Sequence, residues 1–212
     1  MARRSTNAGR TNDPEGLRNR ILDAAMTCFQ RDGYCGTNMR DVMSAAGTTS
    51  GALHHHFPTK KDLGQAVLDE RVRSAVEHTW VSAVRAARTA VDGVLMVFAD
   101  VAAELDGKQR VEGCPVNNLA IELALMDDDL RLSLNTTFAI WRQAIAAKAE
   151  EDLKSGVPML MGANDWALLA VAQFSGAMAM AKASQSTHPL RESARLLKKL
   201  ARAPNLGRRS GA

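Results

Sequence analysis

The punctuation of this sequence restricts its fold before any motif does. From Pro14 onward, glycines, prolines and capping residues recur at helix-length intervals, and between them the apolar positions repeat every three to four residues. In GLRNRILDAAMTCFQRDGY, the residues Leu17, Ile21, Ala25, Cys28 and Phe29 share one helical face, and Gly33 is expected to end the helix as a left-handed cap. In TNMRDVMSAAG, Asn38 caps a short helix whose inward positions are Met39, Val42, Met43 and Ala46, with Gly47 as the sharp exit. Thr48 or Thr49 then opens another short helix, which stops at Phe57 because the residue ahead of Pro58 is pushed out of helical geometry. Thr59 and Asp62 form a capping box for a helix from 60 to about 85, interrupted only by Gly64. Further helices are expected at 90–106, 116–125, 127–155, 163–185 and 188–202. Alternating β-branched runs with hairpin turns are nearly missing, so the fold class is all-α.

A chain of 212 residues fits one or two domains with a substantial core. With 46% hydrophobic and 24% charged residues, disorder is expected only at the ends, as a flexible basic arm at 1–13 and a flexible tail at 204–212. The N-terminal arginines have no apolar stretch behind them, so a secretory signal is not expected. The most apolar segment, 166–181, is interrupted by Gln173 and Ser175 and is expected to fall short of the roughly 20 apolar residues of a membrane span. Cys28, Cys35 and Cys114 cannot all pair within one chain and form no C-x-x-C, which predicts free thiols in a reducing cytoplasm.

Charge is unevenly distributed. Residues 1–61 hold nine Lys or Arg against five Asp or Glu, residues 62–190 hold eleven against seventeen, and residues 191–212 hold seven against one. Basic ends suit a polyanion such as DNA, whose phosphates attract Lys and Arg and release counterions on contact. A solvated surface with chance asymmetry would look the same.

The row His54, His55, His56 suggests a metal, but geometry argues against one. Adjacent helix residues lie about 100° apart around the axis, so three in a row fan out and cannot converge on one ion. Zinc pairs on helices use i, i+4 spacing, and positions 50, 52, 58, 59 and 60 offer Ser, Ala, Pro, Thr and Lys. Two short helices joined through Ala46-Gly47-Thr48 instead form a helix-turn-helix, with Leu53 and Phe57 inward and Thr48, Thr49, Ser50, Ala52, His54 and His55 free. Hydroxyl and imidazole groups so placed can meet base edges or phosphates in a major groove. A plain surface helix in a bundle is the competing interpretation.

The segment RNRILDAAMTCFQRDGYCGTNMRDVMSAAGTTSGALHHHFPTKKDL resembles the N-terminal domain of the TetR family of bacterial regulators. The likeness rests on Arg18, Ile21-Leu22, Ala24-Ala25, Phe29, Gly33-Tyr34, Gly36-Thr37, Asp41-Val42, Ala45-Ala46-Gly47, Ser50-Gly51, Leu53, Phe57-Pro58, Lys60 and Leu63. It implies a three-helix DNA-binding domain at 14–62, with the helix-turn-helix at 38–57, and a larger helical ligand-binding and dimerisation domain at 63–203. It also implies a homodimer on a palindromic operator, released by a small-molecule inducer whose identity the sequence does not give. DNA contacts are expected from Arg18, Asn38, Arg40, Thr48, Thr49, Ser50, Ala52, His54, His55 and Lys60. His54 stands where the family most often has Tyr, and a neutral imidazole can still donate to phosphate.

Beyond residue 68, WALLAVAQFSGAMAMAKA and PLRESARLLKKLA resemble the family's last two helices, which implies a dimer interface at 163–185 and 188–202. An internal core helix is the alternative. Gly113, Cys114, Asn118, Leu119 and Glu122 resemble the G-C-x-x-x-N-L-x-x-E pattern of one TetR branch, some of whose members sense electrophiles or small organic acids. A thiol just ahead of a helix can be activated by the dipole, so Cys114 is either a sensing thiol or a small buried residue. A ligand cavity is expected among the helices at 90–106, 116–125 and 127–155, lined by Phe98, Cys114, Asn117, Asn118, Glu122, Phe138 and Trp141. No metal, cofactor or membrane partner is expected. The rival functions are an all-helical enzyme, for which no triad or metal motif is visible, and a non-specific DNA-coating protein.

Overall fold

The computed structural model describes residues 13–201, so residues 1–12 of the expected basic arm and the expected tail at 204–212 lie outside it. All regular structure among the described residues is helical. The elements are α1 (Pro14–Gly36), α2 (Met39–Ala45), α3 (Ser50–His56), a continuous run α4 over 60–86, α5 (Ala90–Asp106), α6 (Pro115–Leu123), α7 (Asp128–Lys154), α8 (Ala163–Ser184) and α9 (His188–Ala201). Within α4, Val67–Val72 and Glu77–Ser82 are wound as π-helix, the wider i to i+5 form.

The caps explain most boundaries. Asp13 accepts from the Gly16 N–H at 2.9 Å, and Pro14, which has no N–H to orphan, opens α1. Asn38 and Asp41 cap α2 reciprocally, and Thr59 and Asp62 do the same for α4. Gly47, at φ 61, makes the turn between α2 and α3; the N–H of Thr48 reaches the Met43 carbonyl and the N–H of Gly47 that of Ser44, the paired bonds of a Schellman cap.

Gly33 departs from the expected left-handed cap. Its φ of 80 is positive, but ψ is 161, a combination open essentially to glycine, and a further turn follows before Thr37. Gly64 has a different purpose: a Cβ there would lie 2.7 Å from Cε2 of Tyr34, so its absence lets the tyrosine ring rest on α4.

Ile21, Leu22, Ala25, Phe29, Val42, Leu53, Phe57 and Leu63 bury the contact among the first four helices. Two ion pairs brace α1 on α4. Arg18 meets Glu70 through both guanidinium nitrogens, at 2.7 and 2.5 Å, and Arg71 donates to Asp23 at 2.7 Å and to Asn19 Oδ1 at 2.8 Å. In the body, α4, α5, α7 and α8 each contribute a ring to an aromatic cluster. Trp80 lies 4.8 Å from both Trp141 and Phe174, and Phe98 meets Phe174 edge-on at 5.1 Å.

The expectation that 166–181 falls short of a membrane span is not met on length, because α8 runs for 22 residues and a window within it reaches a mean hydropathy of 1.2. Packing decides its role: Trp166, Ala167, Ala170, Val171, Phe174, Ala177, Met178 and Ala181 are buried in the body.

Candidate nucleic-acid interface and adjoining cavity

On α3, Leu53 and Phe57 are buried, at 1% and 3% exposure, so the helix can present only its other face. Thr49, Ser50, His54 and His55 are exposed on that face, while Thr48 and Ala52 are half-buried. Thr49 Oγ1 accepts from the Ala52 N–H at 3.3 Å, which leaves its own hydroxyl proton available to a partner. Asn38 and Arg40 are exposed at the start of α2, and Asn38 Oδ1 is engaged by the Asp41 N–H at 3.0 Å. His56 is half-buried and approaches the Phe57 ring at 6.3 Å.

The two adjacent lysines have different surroundings. Lys60 Nζ sits 4.4 Å from the centre of the Tyr34 ring, a cation–π contact that orients the ammonium without saturating its donors. Lys61 is held by Asp127 at 2.8 Å and Asp129 at 2.7 Å, and these carboxylates push its ammonium further toward the charged form. Arg18 differs from the other expected contacts, because Glu70 takes its guanidinium, which also lies 5.4 Å over the Phe57 ring.

His54 Nδ1 lies 3.2 Å from the Pro58 carbonyl oxygen, which can only accept, so Nδ1 carries the proton. A neutral ring in that tautomer offers Nε2 as an acceptor, so it cannot donate to phosphate as expected from sequence; only the imidazolium can. His54→Tyr supplies a hydroxyl that is protonated, and so a donor, at neutral pH. It is expected to tighten DNA binding by about 1 kcal/mol, the size of one net hydrogen bond, as measured by fluorescence anisotropy. Unchanged binding would remove His54 from the interface, and weaker binding would mean that the phenol does not reach a phosphate from this position.

A cavity of about 350 Å³ lies beside this domain, under α1 and among α4, α5, the 107–114 segment and the start of α6. Its apolar wall includes Val76, Trp80, Val101, Trp141 and Phe174, and charged groups include Glu104, Lys108, Arg110 and Glu112. Of the residues expected to line it, Cys114 and Trp141 do. Phe98 is fully buried within the aromatic cluster, and Phe138 stacks on Trp141 at 6.2 Å. Asn117 donates to the Ser175 carbonyl at 3.3 Å, and Asn118 to the Glu112 carbonyl at 2.8 Å. Glu122 is on the far end of α6, accepting from the Cys35 N–H at 2.9 Å. The sequence reading missed Met26, Thr27 and Gln30, because nothing in their spacing distinguishes a face of α1 turned to the body from one turned to solvent.

Burial pushes the Cys114 thiol up, outweighing the N–H groups of Asn117 and Val116 that favour the thiolate. The thiol is therefore protonated at neutral pH, the opposite of the activated state that a helix dipole alone suggests.

A short helix held outward by a Schellman turn, with polar groups on its free face and a lysine beside it, defines a helix-turn-helix DNA-binding protein. Residues 21–67 match the family model described as bacterial regulatory proteins, tetR family, and residues 90–196 match that of the transcriptional regulator LmrA/YxaF-like C-terminal domain. The chain belongs to the TetR family of bacterial transcriptional regulators. It is 28% identical over 180 residues to an HTH-type transcriptional regulator in the lacX 3′ region of Lactococcus lactis subsp. lactis, covering 84% of this chain and 90% of that one. It is 27% identical over 184 residues to the HTH-type transcriptional repressor DhaR of Mycobacterium sp. (strain GP1), covering 82% and 86%. A TetR transcriptional regulator from Chloroflexus aurantiacus J-10-FL has a similar fold, with a TM-score of 0.79 at 24% identity over 89% of this chain and 96% of that one.

Proposed function

We propose that this regulator is a repressor that binds a palindromic operator as a homodimer and leaves it when a small molecule fills the cavity beside α1. The observation that carries this reading is the outward face of α3, where Thr49, Ser50, His54 and His55 stand free while Leu53 and Phe57 are buried. In this reading residues 14–62 contact DNA, through Asn38, Arg40, Thr48, Thr49, Ser50, Ala52, His54, His55 and Lys60, with Arg18 bracing α1. Residues 63–203 bind the inducer and the second subunit. Because α4 crosses residue 62 without a break, a shift in the body is passed to the DNA-reading helices as a rigid displacement.

The dimer is assigned to α8 and α9. Leu168, Ala172, Gly176, Ala179 and Met180 form an exposed stripe of apolar or small residues along α8, and Leu196 and Leu200 are exposed on α9. A second copy would cover these groups and bring two recognition helices to successive major grooves, about 34–36 Å apart. The repressor DhaR, similar over most of its length, supports the sign of regulation. Gly113, Cys114, Asn118, Leu119 and Glu122 support membership of the branch with the G-C-x-x-x-N-L-x-x-E pattern, and Cys114 serves there as a buried lining residue. A DNA-bound regulator works in the cytoplasm and needs no catalytic group.

Selection of bound DNA from a random pool tests this reading. Enrichment of one palindrome, bound at least about 10³-fold tighter than random sequence, is the expected result. Uniform recovery of all sequences would favour a DNA-coating protein instead.

A further inference from the structure

Helix α1 belongs to the DNA-reading domain and is also a wall of the cavity, to which it contributes Met26, Thr27 and Gln30. Two hydrogen bonds join it to the segment that closes the cavity from the other side. Gln30 Nε2 donates to the Gly113 carbonyl at 2.7 Å, and the Cys35 N–H donates to Glu122 Oε2 at 2.9 Å. Helix α6 is therefore a short rod with the cavity at one end, where Cys114, Pro115 and Val116 line it, and the break in α1 at the other.

The fit at that break is close. A Cβ on Gly33 would fall 2.7 Å from Glu122 Oε1, so the carboxylate occupies the space that the missing side chain leaves. Just past α6, Asp127 and Asp129 hold Lys61 at the start of α4, next to Lys60. The corner between α6 and α7 thus grips the DNA-reading domain at both α1 and α4.

We infer that Glu122 is a positioning residue: through its bond to the Cys35 N–H, a displacement of α6 by a filled cavity is passed to α1 and so to α2 and α3. This rests on the ligand-responsive reading above and assigns the route by which the response travels. An uncompensated loss of the bond frees the domain to sample other orientations, of which only one suits the operator.

The test replaces the unknown inducer by a side chain. Val101→Phe adds bulk to the cavity wall from α5 and is expected to lower affinity for the selected operator by about tenfold, within the usual range of allosteric coupling. Glu122→Ala is expected to lower it by about fivefold, whereas Glu122→Gln, whose amide oxygen still accepts from Cys35, stays within about twofold of wild type. Adding Val101→Phe to Glu122→Ala is expected to cost less than a further threefold or so, because the α6–α1 link is already cut and only the Gln30 bond and the α4 contacts are left to pass the shift. Circular dichroism melting of each variant separates loss of fold from loss of coupling, and the comparison of Ala with Gln at 122 stands even if Val101→Phe does not fold. Equal losses for Ala and Gln, or an additive double variant, overturn the role of Glu122 alone. A wild-type protein that prefers no palindrome overturns the repressor reading and this route together.

Discussion

Trp141→Ala lowers the stability of the body by about 3–5 kcal/mol, the usual cost of deleting a large aromatic from a core. Trp141 is fully buried, 4.8 Å from Trp80 and 5.6 Å from Phe174, and stacked on Phe138 within 9° of parallel. Removing it joins a void to the existing cavity, so neighbouring rings lose contacts that they cannot replace by collapse. Among the described residues its indole nitrogen has no hydrogen-bond partner, so Trp141→Phe leaves no acceptor stranded and is expected to cost under half as much. Thermal unfolding followed at 222 nm measures both. A loss below about 1 kcal/mol for the alanine variant would mean that the cluster does not anchor the body.

The second large effect is a contrast between Lys60 and Thr49. Lys60→Ala removes an ammonium held over Tyr34 at the edge of the proposed interface. It is expected to weaken binding to every sequence alike and to reduce the salt slope by about 1. Thr49→Ala removes a hydroxyl whose proton is free and is expected to change which operator is preferred, by about 1 kcal/mol or more at one base pair. Anisotropy titrations on the selected operator, a single-base variant and random DNA at several salt concentrations distinguish the two. Uniform losses in both variants would contradict the division into phosphate and base contacts.

The helices were readable because their signals are local. Caps at Asn38 and Thr59, the exit at Gly47 and the stop before Pro58 are each written within four residues, and the boundaries of α2 to α4 follow them. What the sequence hides is long-range. Gly33 looks like an ordinary cap until Glu122, far along the chain, is found against it, and Gly64 looks like a weakness until Tyr34 rests there. Lys60 and Lys61 are indistinguishable as letters, yet one faces a ring and the other two carboxylates. The helix expected at 116–125 is present as α6 and carries both Asn118 and Glu122, but a helical position carries no information about which neighbour each side chain meets. The cavity moved toward α1 for the same reason.

Hydroxyl-radical and methylation footprinting on the selected operator tests the central claim, that α3 of each subunit occupies a major groove. The account predicts two protected major-groove patches on one face of the duplex, centred about one helical turn apart, each lost in Ser50→Glu. A single patch, protection confined to the minor groove, or patterns unchanged by Ser50→Glu would contradict it.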